Sequence, residues 1–372
     1  MTENKAAQDV IYLASCAVNE QIPDAERVAA MDLKAVYAFA KRHRISAIVA
    51  FALESAGYKD QWSTAAIISA QKKAVVFHHE LMKVSKELEK AGVWYMPLKG
   101  AVLQYMYPVY GMRQMGDHDI LIDADRAKDV KAIMEGLGYN IEHFGISNHD
   151  VYDKERGPRF EMHTALFGPG HDEKLYEYYK DVEKRLLGDG YEKHLGPEDF
   201  YIYLTAHEYK HYTYRGTGLR SLLDTYVYLQ KTPLDMACVT AEAEKLGMAE
   251  FEAKNRALAR RLFSGGELTE DERDMLDYFL SSGVYGTMDH FIENKVEKEI
   301  AKRGYGKAGY MLARFSVPVS KKNKDYDNYA NRYPFFYQHK ILLPFLPFYR
   351  IFHAVKAGRF TTEAKAIKKV KV

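Results

Sequence analysis

The feature that most constrains the fold of this chain is a change in hydrophobic periodicity that occurs twice along its 372 residues. Up to Gly92 the apolar residues recur at the three- and four-residue spacing of amphipathic helices. Between residues 93 and 166 short β-branched and aromatic runs separated by turn residues indicate strands. Beyond Gly170 the helical spacing returns. The sequence therefore predicts a small sheet between two helical regions.

We expect an α/β (α+β) fold in three parts. Residues 1–90 form an N-terminal helical domain, residues 91–170 a mixed-sheet core with helices packed on it, and residues 171–372 a C-terminal helical region. A single hydrophobic core stops growing at about 250–300 residues, so a chain of this length should contain separate subdomains. A hydrophobic content of 47% and a net charge of +2 are ordinary for a globular protein and give no overall attraction to nucleic acid.

The central part has a recognisable order of elements. Strands are predicted at residues 93–98, 117–123, 139–146, 149–154 and 159–166. Lys99 and Gly100 form the turn between the first strand and a short helix. A second helix is expected between the strand at 117–123 and the one at 139–146.

The cysteines and the N-terminal residues give an expectation for the cellular compartment of the protein. Cys16 and Cys238 lie far apart and match neither a zinc-binding spacing nor a disulfide framework, which fits a reducing cytosol. Glu3 and Asp9 stand where a signal peptide needs basic residues, and no apolar run is long enough to span a bilayer. We therefore expect a cytoplasmic protein that is neither secreted nor membrane-spanning.

Two acidic residues on one predicted strand suggest a metal site. Asp117 and Asp119 are two residues apart, so their side chains point to the same face, roughly 6–7 Å apart, while His118 points to the other face. Carboxylate oxygens suit Mg²⁺, with Mn²⁺ as the alternative, and Mg²⁺ completes its shell with water and substrate phosphates. Glu161 on a neighbouring strand can add a third carboxylate and so give a two-metal site.

Several residues around these acids are candidates for binding phosphate. Lys99 and Gly100 at the strand-to-helix turn combine a positive charge with a flexible backbone whose N–H groups can contact phosphate oxygens. Arg113 lies four residues before Asp117. His163 shares the face of Glu161 and can contact a phosphate or the molecule that accepts a transferred group. The equally weighted alternative is a structural histidine whose ring nitrogens bond to neighbours at the rim of the sheet.

The segments PLKGAVLQYMYP, GDHDILID and FEMHTAL, together with Arg113, resemble the polymerase-β-like nucleotidyltransferase superfamily, most closely its family of uncharacterised nucleotidyltransferases. The resemblance extends more loosely through the flanking helices. It implies transfer of a nucleoside monophosphate from a nucleoside triphosphate, with loss of pyrophosphate.

The resemblance also implies roles for individual residues. Asp117 and Asp119 bind the metals, Glu161 completes the site and helps to activate the acceptor hydroxyl, and Gly100 holds the triphosphate. Two positions depart from the wider superfamily: Lys99-Gly100-Ala101 replaces the usual Gly-Ser or Gly-Gly turn, and Glu161 replaces a common aspartate. The acceptor stays open between small molecules, sugars, proteins and RNA.

A competing motif is H-E-x-x-H at His207, Glu208 and His211, with Asp224 or another acid downstream as a possible third ligand. On a helix this spacing places two imidazoles on one face for zinc, next to a glutamate that acts as the base of a peptidase. Lys210 between the histidines is unusual for such a motif. A zinc metallopeptidase and a catalytically silent nucleotide-binding module are therefore the alternatives to the transferase.

The C-terminal tail combines aromatic and basic residues. Residues 334–352 are rich in aromatic side chains, and six Lys or Arg follow residue 350 against Glu363 alone. Such a segment can lie on an anionic membrane surface. We favour the alternative, a helical hairpin that packs its aromatic residues on the core and leaves the lysines in solvent.

Overall fold

The computed structural model describes residues 2–169, 173–283, 286–303, 306–307, 309–310, 315–323, 326–356 and 359–369. The chain divides into two compact units. The first contains Met1–Lys210 and Thr217–Val284, and the second contains His211–Gly216 and Tyr285–Val372. The division into three parts at residues 90 and 170 stays a prediction.

The helices of the first unit begin with an N-terminal group. They are α1 (Thr2–Val18), α2 (Ala25–Ala29), α3 (Leu33–Arg42), α4 (Ser46–Ser55) and α5 (Gln61–Lys90). The sheet region contains α6 (Gly100–Leu103) and α7 (Ala127–Gly136). After the sheet follow α8 (Glu173–Tyr179), α9 (Pro197–Tyr212), α10 (Leu219–Lys231), α11 (Met236–Leu246), α12 (Ala249–Ser264) and α13 (Glu270–Ser282).

Side-chain caps fix where several of these helices begin. The carboxylate of Asp32 accepts a hydrogen bond from the amide of Ala35 at the start of α3. Asp60 and Ser63 form a capping box at the start of α5, and Thr269 and Glu272 form one at the start of α13. Each box satisfies two backbone N–H groups that would otherwise lack partners.

The sheet has five strands: β1 (Tyr95–Pro97), β2 (Asp117–Ile122), β3 (Asn140–His143), β4 (His149–Asp153) and β5 (Arg159–His163). Their order across the sheet is β1-β2-β5-β4-β3. β2 and β5 are parallel, whereas the other neighbouring pairs are antiparallel. The sheet is therefore mixed and flanked by helices, which confirms the α/β (α+β) prediction.

Both faces of the sheet are covered, because alternate residues of each strand enter different clusters. One cluster joins the sheet to α5 and α7 and includes Leu88, Ile120 and Phe160. The other joins it to α9 and includes Leu121 and Tyr203. Since side chains alternate along a strand, Asp117 and Asp119 lie on the same face as Leu121, towards α9.

The second unit is helical in its described part. It contains α14 (Met288–Arg303), α15 (Tyr326–Arg332), α16 (Pro334–Gln338), a 3₁₀ segment (Lys340–Phe345), α17 (Leu346–Lys356) and α18 (Arg359–Lys369). Helix α14 packs on α18 around Val296, Ile300 and Ala366. In neither unit does any described helix combine the length and the apolar character needed to cross a bilayer.

Candidate functional site

The pairing of β2 with β5 brings two of the predicted acids together. In this parallel register Asp119 lies opposite Glu161, and Leu121 lies opposite His163. The amide of Leu98 donates to the backbone carbonyl of Asp119 at 2.9 Å, which holds the Lys99 turn against the same strand. The sheet therefore places residues from three separate segments of the sequence on one face.

Asp119, Glu161 and His163 form a compact group of potential metal ligands. One ligand atom from each lies within 4.8 Å of the others, and this is the one such group of three or more among the described residues. Asp117 precedes the group on β2 and is outside it, but its charge contributes to the raised pKa of Glu161. The structure thus brings together two of the three predicted acids and adds a histidine.

Asp119 is a buried carboxylate with two close partners. Its Oδ1 accepts from Lys99 Nζ at 2.7 Å and lies 3.0 Å from His163 Nε2. Burial favours the neutral acid, but the Lys99 ammonium and His163 outweigh it and hold the pKa of Asp119 well below its usual range. Because an ionised carboxylate only accepts, His163 donates its Nε2–H, which leaves His163 Nδ1 buried and without a hydrogen-bond partner among the described residues.

Glu161 lies in a different electrostatic environment from Asp119. The imidazoles of His149 and His163 each place Nε2 3.9 Å from Glu161 Oε2, beyond hydrogen-bond range, and burial lowers the pKa of both, so neither neutralises Glu161 near pH 7. Burial, then the charge of Asp119 and that of Asp117, raise the pKa of Glu161 to about 7. The site therefore holds more negative charge than Lys99 neutralises.

The turn between β1 and α6 is strained and closely packed. Lys99 adopts φ 42° and ψ −109°, in a region that non-glycine residues rarely occupy. At Gly100 a Cβ would lie 2.5 Å from Nη1 of Arg113. Because Gly100 has no side chain, the Arg113 guanidinium can pack against this turn. The same turn directs the Lys99 side chain towards Asp119.

Arg113 is held by an acidic residue of α10. Its Nε and Nη2 donate to the two carboxylate oxygens of Asp224 at 2.7 and 2.8 Å, and the Tyr107 hydroxyl donates to Oδ1 at 2.8 Å. Two guanidinium nitrogens of the predicted phosphate-binding residue are thus used within the protein. The third, Nη1, faces Gly100.

Helix α9 contributes two residues that the sequence reasoning missed. Burial and then the charges of Asp119 and Glu161 raise the pKa of Tyr203, and burial and then the charge of Lys99 lower the pKa of Lys210. Both side chains therefore feel the charges of the site. They are seven residues apart and so share a helix face. That spacing is a signal available in the sequence, but it points to no particular partner.

A basic cavity of about 460 Å³ adjoins the site at the start of β2. Its lining includes the basic residues Lys41, Arg44, Lys73 and Arg113, and no Asp or Glu of the described chain lines it. Arg44 approaches the backbone just before Asp117, since a Cβ at Gly116 would lie 3.2 Å from its Nη1. Burial and then Arg44 lower the pKa of Lys73. The cavity is thus an electropositive compartment beside the acids.

The H-E-x-x-H residues have a different environment from that of a zinc peptidase. Glu208 is 5% exposed and accepts from Asn255 Nδ2 at 2.7 Å and from Thr225 Oγ1 at 3.3 Å. It is therefore directed into the helical core. The ring of His207 lies 6.4 Å from that of Tyr203. Within the described residues these histidines belong to no group of three potential ligands.

His118 lies on the opposite face of β2, as predicted. Its Nε2 is 3.0 Å from the carbonyl of Phe77, and its ring stacks on Phe160. Burial lowers the pKa of His118 to about 4, so it is a neutral core residue.

The comparisons with known proteins agree with this geometry. A family described as uncharacterised nucleotidyltransferase matches residues 29–264, which is more than half of the chain and includes the whole sheet. Neither a curated protein nor a solved structure matches the sequence. The match takes in the strand pair that carries Asp119 and Glu161, the Lys99 turn and the basic cavity, and by it this chain belongs to the uncharacterised nucleotidyltransferase family.

Proposed function

We propose that the protein transfers a nucleoside monophosphate from a nucleoside triphosphate to a hydroxyl group of an acceptor, with a divalent cation as cofactor. The observation that carries this proposal is the convergence of Asp119, Glu161 and His163 within 4.8 Å, beside a basic cavity. In the reaction the acceptor oxygen forms a bond to the α-phosphorus. The bond from that phosphorus to the bridging oxygen breaks, and pyrophosphate leaves.

The donor atoms suit a divalent cation such as Mg²⁺ or Mn²⁺. Carboxylate oxygens are the ligands that these ions prefer, and Asp117, next to the group on the same strand face, adds another. Glu161 has no hydrogen-bond donor within range among the described residues, and burial, followed by the charges of Asp119 and Asp117, raises its pKa. A bound cation would neutralise charge on the phosphates and on the attacking oxygen.

The remaining roles in the reaction are assigned to individual residues of the protein. Asp117 and Asp119 would hold the cation, as the family resemblance implies, and through it would orient the triphosphate. Lys99 neutralises Asp119 in the free protein, where their atoms are 2.7 Å apart, and its ammonium would turn to a phosphate once a cation neutralised Asp119 instead. Glu161 Oε2 would accept the proton of the acceptor hydroxyl, because the family resemblance implies that this acid helps to activate the acceptor.

The basic cavity supplies the counter-charge for the phosphates. A triphosphate carries several negative charges, and Lys41, Arg44 and Lys73 line a space free of acidic side chains in the described chain. Arg113 lines the cavity, and its Nη1 faces Gly100 while its other nitrogens stay on Asp224. We place the β- and γ-phosphates there, with the α-phosphorus near Asp119.

Binding measurements test the donor half of this proposal. Isothermal calorimetry with ATP, GTP, CTP and UTP should show binding that requires Mg²⁺ for at least one of them. The double substitution Asp117→Asn with Asp119→Asn should abolish this binding, whereas Asp125→Asn, an exposed acid just beyond β2, should leave it intact. Binding of no nucleotide under any metal condition would overturn the proposal.

A transfer assay tests the chemistry and identifies the acceptor. Each α-labelled nucleotide is incubated with the protein, Mg²⁺ and cell extract, and label is followed into small molecules, sugars, proteins and RNA while pyrophosphate is measured. Stoichiometric pyrophosphate and labelled product are expected. Nucleotide binding without any transfer would identify a silent nucleotide-binding module instead. Tightly bound zinc lost on His207→Ala would point to the metallopeptidase.

A further inference from the structure

An apolar stripe runs along one side of the 3₁₀ segment and helix α17 in the second unit. It consists of Ile341, Phe345, Phe348, Phe352 and Val355, whose exposed fractions are 85%, 62%, 62%, 65% and 56%. From Phe345 into helix α17 the spacing of three, four and three residues places Phe345, Phe348, Phe352 and Val355 on one helical face, and Ile341 precedes them in the 3₁₀ segment. Large apolar side chains that are singly exposed are ordinary, but a row of four on one face marks a contact surface.

The opposite side of the same segment is already occupied. Leu343 and Leu346 are buried against Tyr326 and Tyr337. The guanidinium of Arg350 lies 5.1 Å from the ring centre of Tyr329. The segment is therefore anchored by one face, and the stripe is the other. This differs from the hairpin predicted from sequence, in which the aromatic residues of this tail pack on the core.

The charge around the stripe is strongly positive. Residues 333–372 contain eight Lys or Arg and one acid, a net charge of +7, although the whole chain carries only +2. The single acid, Glu363, accepts a hydrogen bond from Tyr310. Lys340 and Lys356 flank the stripe at its two ends and are exposed, as are Lys365 and Lys368 of α18.

We propose that this stripe, together with the basic residues of the same unit, binds the surface of an anionic lipid bilayer. The apolar side chains enter the boundary between headgroups and acyl chains, and the lysines remain at the level of the phosphates. Apolar insertion alone or positive charge alone gives weak, reversible attachment to the bilayer, whereas the two together give stable binding. A second protein chain would satisfy the apolar side chains but would need an acidic surface to match the charge.

Vesicle flotation with the full-length protein tests the proposal. Binding to vesicles of phosphatidylcholine with phosphatidylserine should be at least about tenfold tighter than to phosphatidylcholine alone, and high salt should weaken it. Phe348→Ser with Phe352→Ser should weaken binding about tenfold or more. Lys365→Gln with Lys368→Gln should weaken it and reduce its dependence on salt.

Matched controls distinguish vesicle binding by this surface from non-specific adsorption of exposed apolar side chains. Ile22→Ser with Ile146→Ser removes two apolar side chains that are 74% and 78% exposed in the first unit and should leave vesicle binding unchanged. Circular dichroism checks that each variant is folded. Equal binding to neutral vesicles, or full binding by the Phe348→Ser and Phe352→Ser variant, would overturn the proposal. A dimer in analytical ultracentrifugation that this variant dissociates, with no vesicle binding, would assign the stripe to self-association.

Discussion

Gly100 is the residue at which adding one methyl group should disturb the site most directly. In Gly100→Ala the new Cβ would lie 2.5 Å from Nη1 of Arg113, so one of the two must move. Arg113 cannot move freely, because it is buried and held by both carboxylate oxygens of Asp224. We expect a loss of about 1–3 kcal/mol in the free energy of unfolding of the first unit, the usual cost of overpacking. Urea denaturation measures it.

Gly136→Ala is the matched control for that substitution. Gly136 is the last residue of α7, and nothing lies within 4 Å of a Cβ placed on it. Alanine should therefore stabilise the protein by about 0.4–1 kcal/mol, through lower entropy of the unfolded chain. Equal effects of the two substitutions would show that the Arg113 contact does not constrain residue 100.

The buried Glu208 should make stability depend on pH. Burial raises its pKa from 4.5 to about 7, although Ser221 and Asn255 partly offset this. Between these two values the folded protein binds more protons than the unfolded chain, so stability falls as pH rises from 4.5 to about 7 and then stays low. At about 1.4 kcal/mol per pKa unit, this group lowers stability by about 3 kcal/mol across that window.

Glu208→Gln should remove this part of the pH dependence. Glutamine resembles the protonated acid and can still accept from Asn255, so the variant should be more stable than wild type at pH 8 and about equal at pH 4.5. Urea midpoints measured across this range give the difference between the two proteins, and other titrating groups cancel in it. Exposed Glu244→Gln should not change the profile, and a Glu208→Gln profile parallel to wild type would contradict the prediction.

The residues of the site differ in how visible they are in the sequence. Asp119 and Glu161 could be predicted because a strand period of two and an expected sheet neighbour place them on one face. Their direct opposition at 119 and 161 depends on strand register, which no local pattern determines. The position of Lys210 near the site could not be predicted, because in the sequence this lysine stands inside an H-E-x-x-H motif, which suggests a different kind of site. His163 was predicted as a phosphate or acceptor ligand, and its hydrogen bond to Asp119 emerges only in the folded sheet.

At the scale of elements, helix α5 shows what periodicity determines and what it does not. The helical spacing of the apolar residues up to Gly92 indicates a helix in this part of the sequence. The buried face of α5 does not follow from this spacing: Ile68, Val75 and Met82 share a helical face but are 46%, 59% and 56% exposed. Phe77 and Leu88 belong to the row that is buried instead. The helix carries two apolar rows, and only packing against α4 and the sheet selects between them.

The cavity lined by α3, α5 and the Arg113 segment gives a prediction for these elements. Lys41→Ala with Lys73→Ala removes one positive charge from each helix lining it. Each charge near a phosphate contributes on the order of 1 kcal/mol, so affinity for tripolyphosphate and for Mg²⁺ with a nucleoside triphosphate should fall about tenfold or more. Calorimetry at fixed salt measures both ligands.

Lys34→Ala with Lys72→Ala is the control from the same two helices. These exposed lysines change the net charge equally but do not line the cavity. Their loss should leave affinity within about twofold of wild type once salt screens long-range charge. If both double variants weaken binding alike, the attraction is a property of the overall charge and not of the cavity. Tripolyphosphate binding without metal would also survive Asp119→Asn, which keeps this test separate from the metal site.

At the scale of the whole molecule, most of the second unit lies beyond the region that the family match covers. The match ends at residue 264, whereas the second unit takes most of its residues from Tyr285–Val372. Each unit has hydrophobic clusters of its own, with Leu88 in a cluster of the first and Leu346 in one of the second, both fully buried. Separate cores imply separate cooperative transitions, so one free energy of unfolding should not describe the chain.

Differential scanning calorimetry of two matched substitutions tests this division. Leu88→Ala and Leu346→Ala each remove a fully buried leucine side chain and should cost about 2–5 kcal/mol within their own unit. We expect two transitions: Leu88→Ala lowers the midpoint of the one with the larger enthalpy by several degrees, and Leu346→Ala lowers only the other. The enthalpies should differ because the first unit contains more residues. A single transition shifted by both substitutions would mean that the two clusters unfold as one cooperative structure.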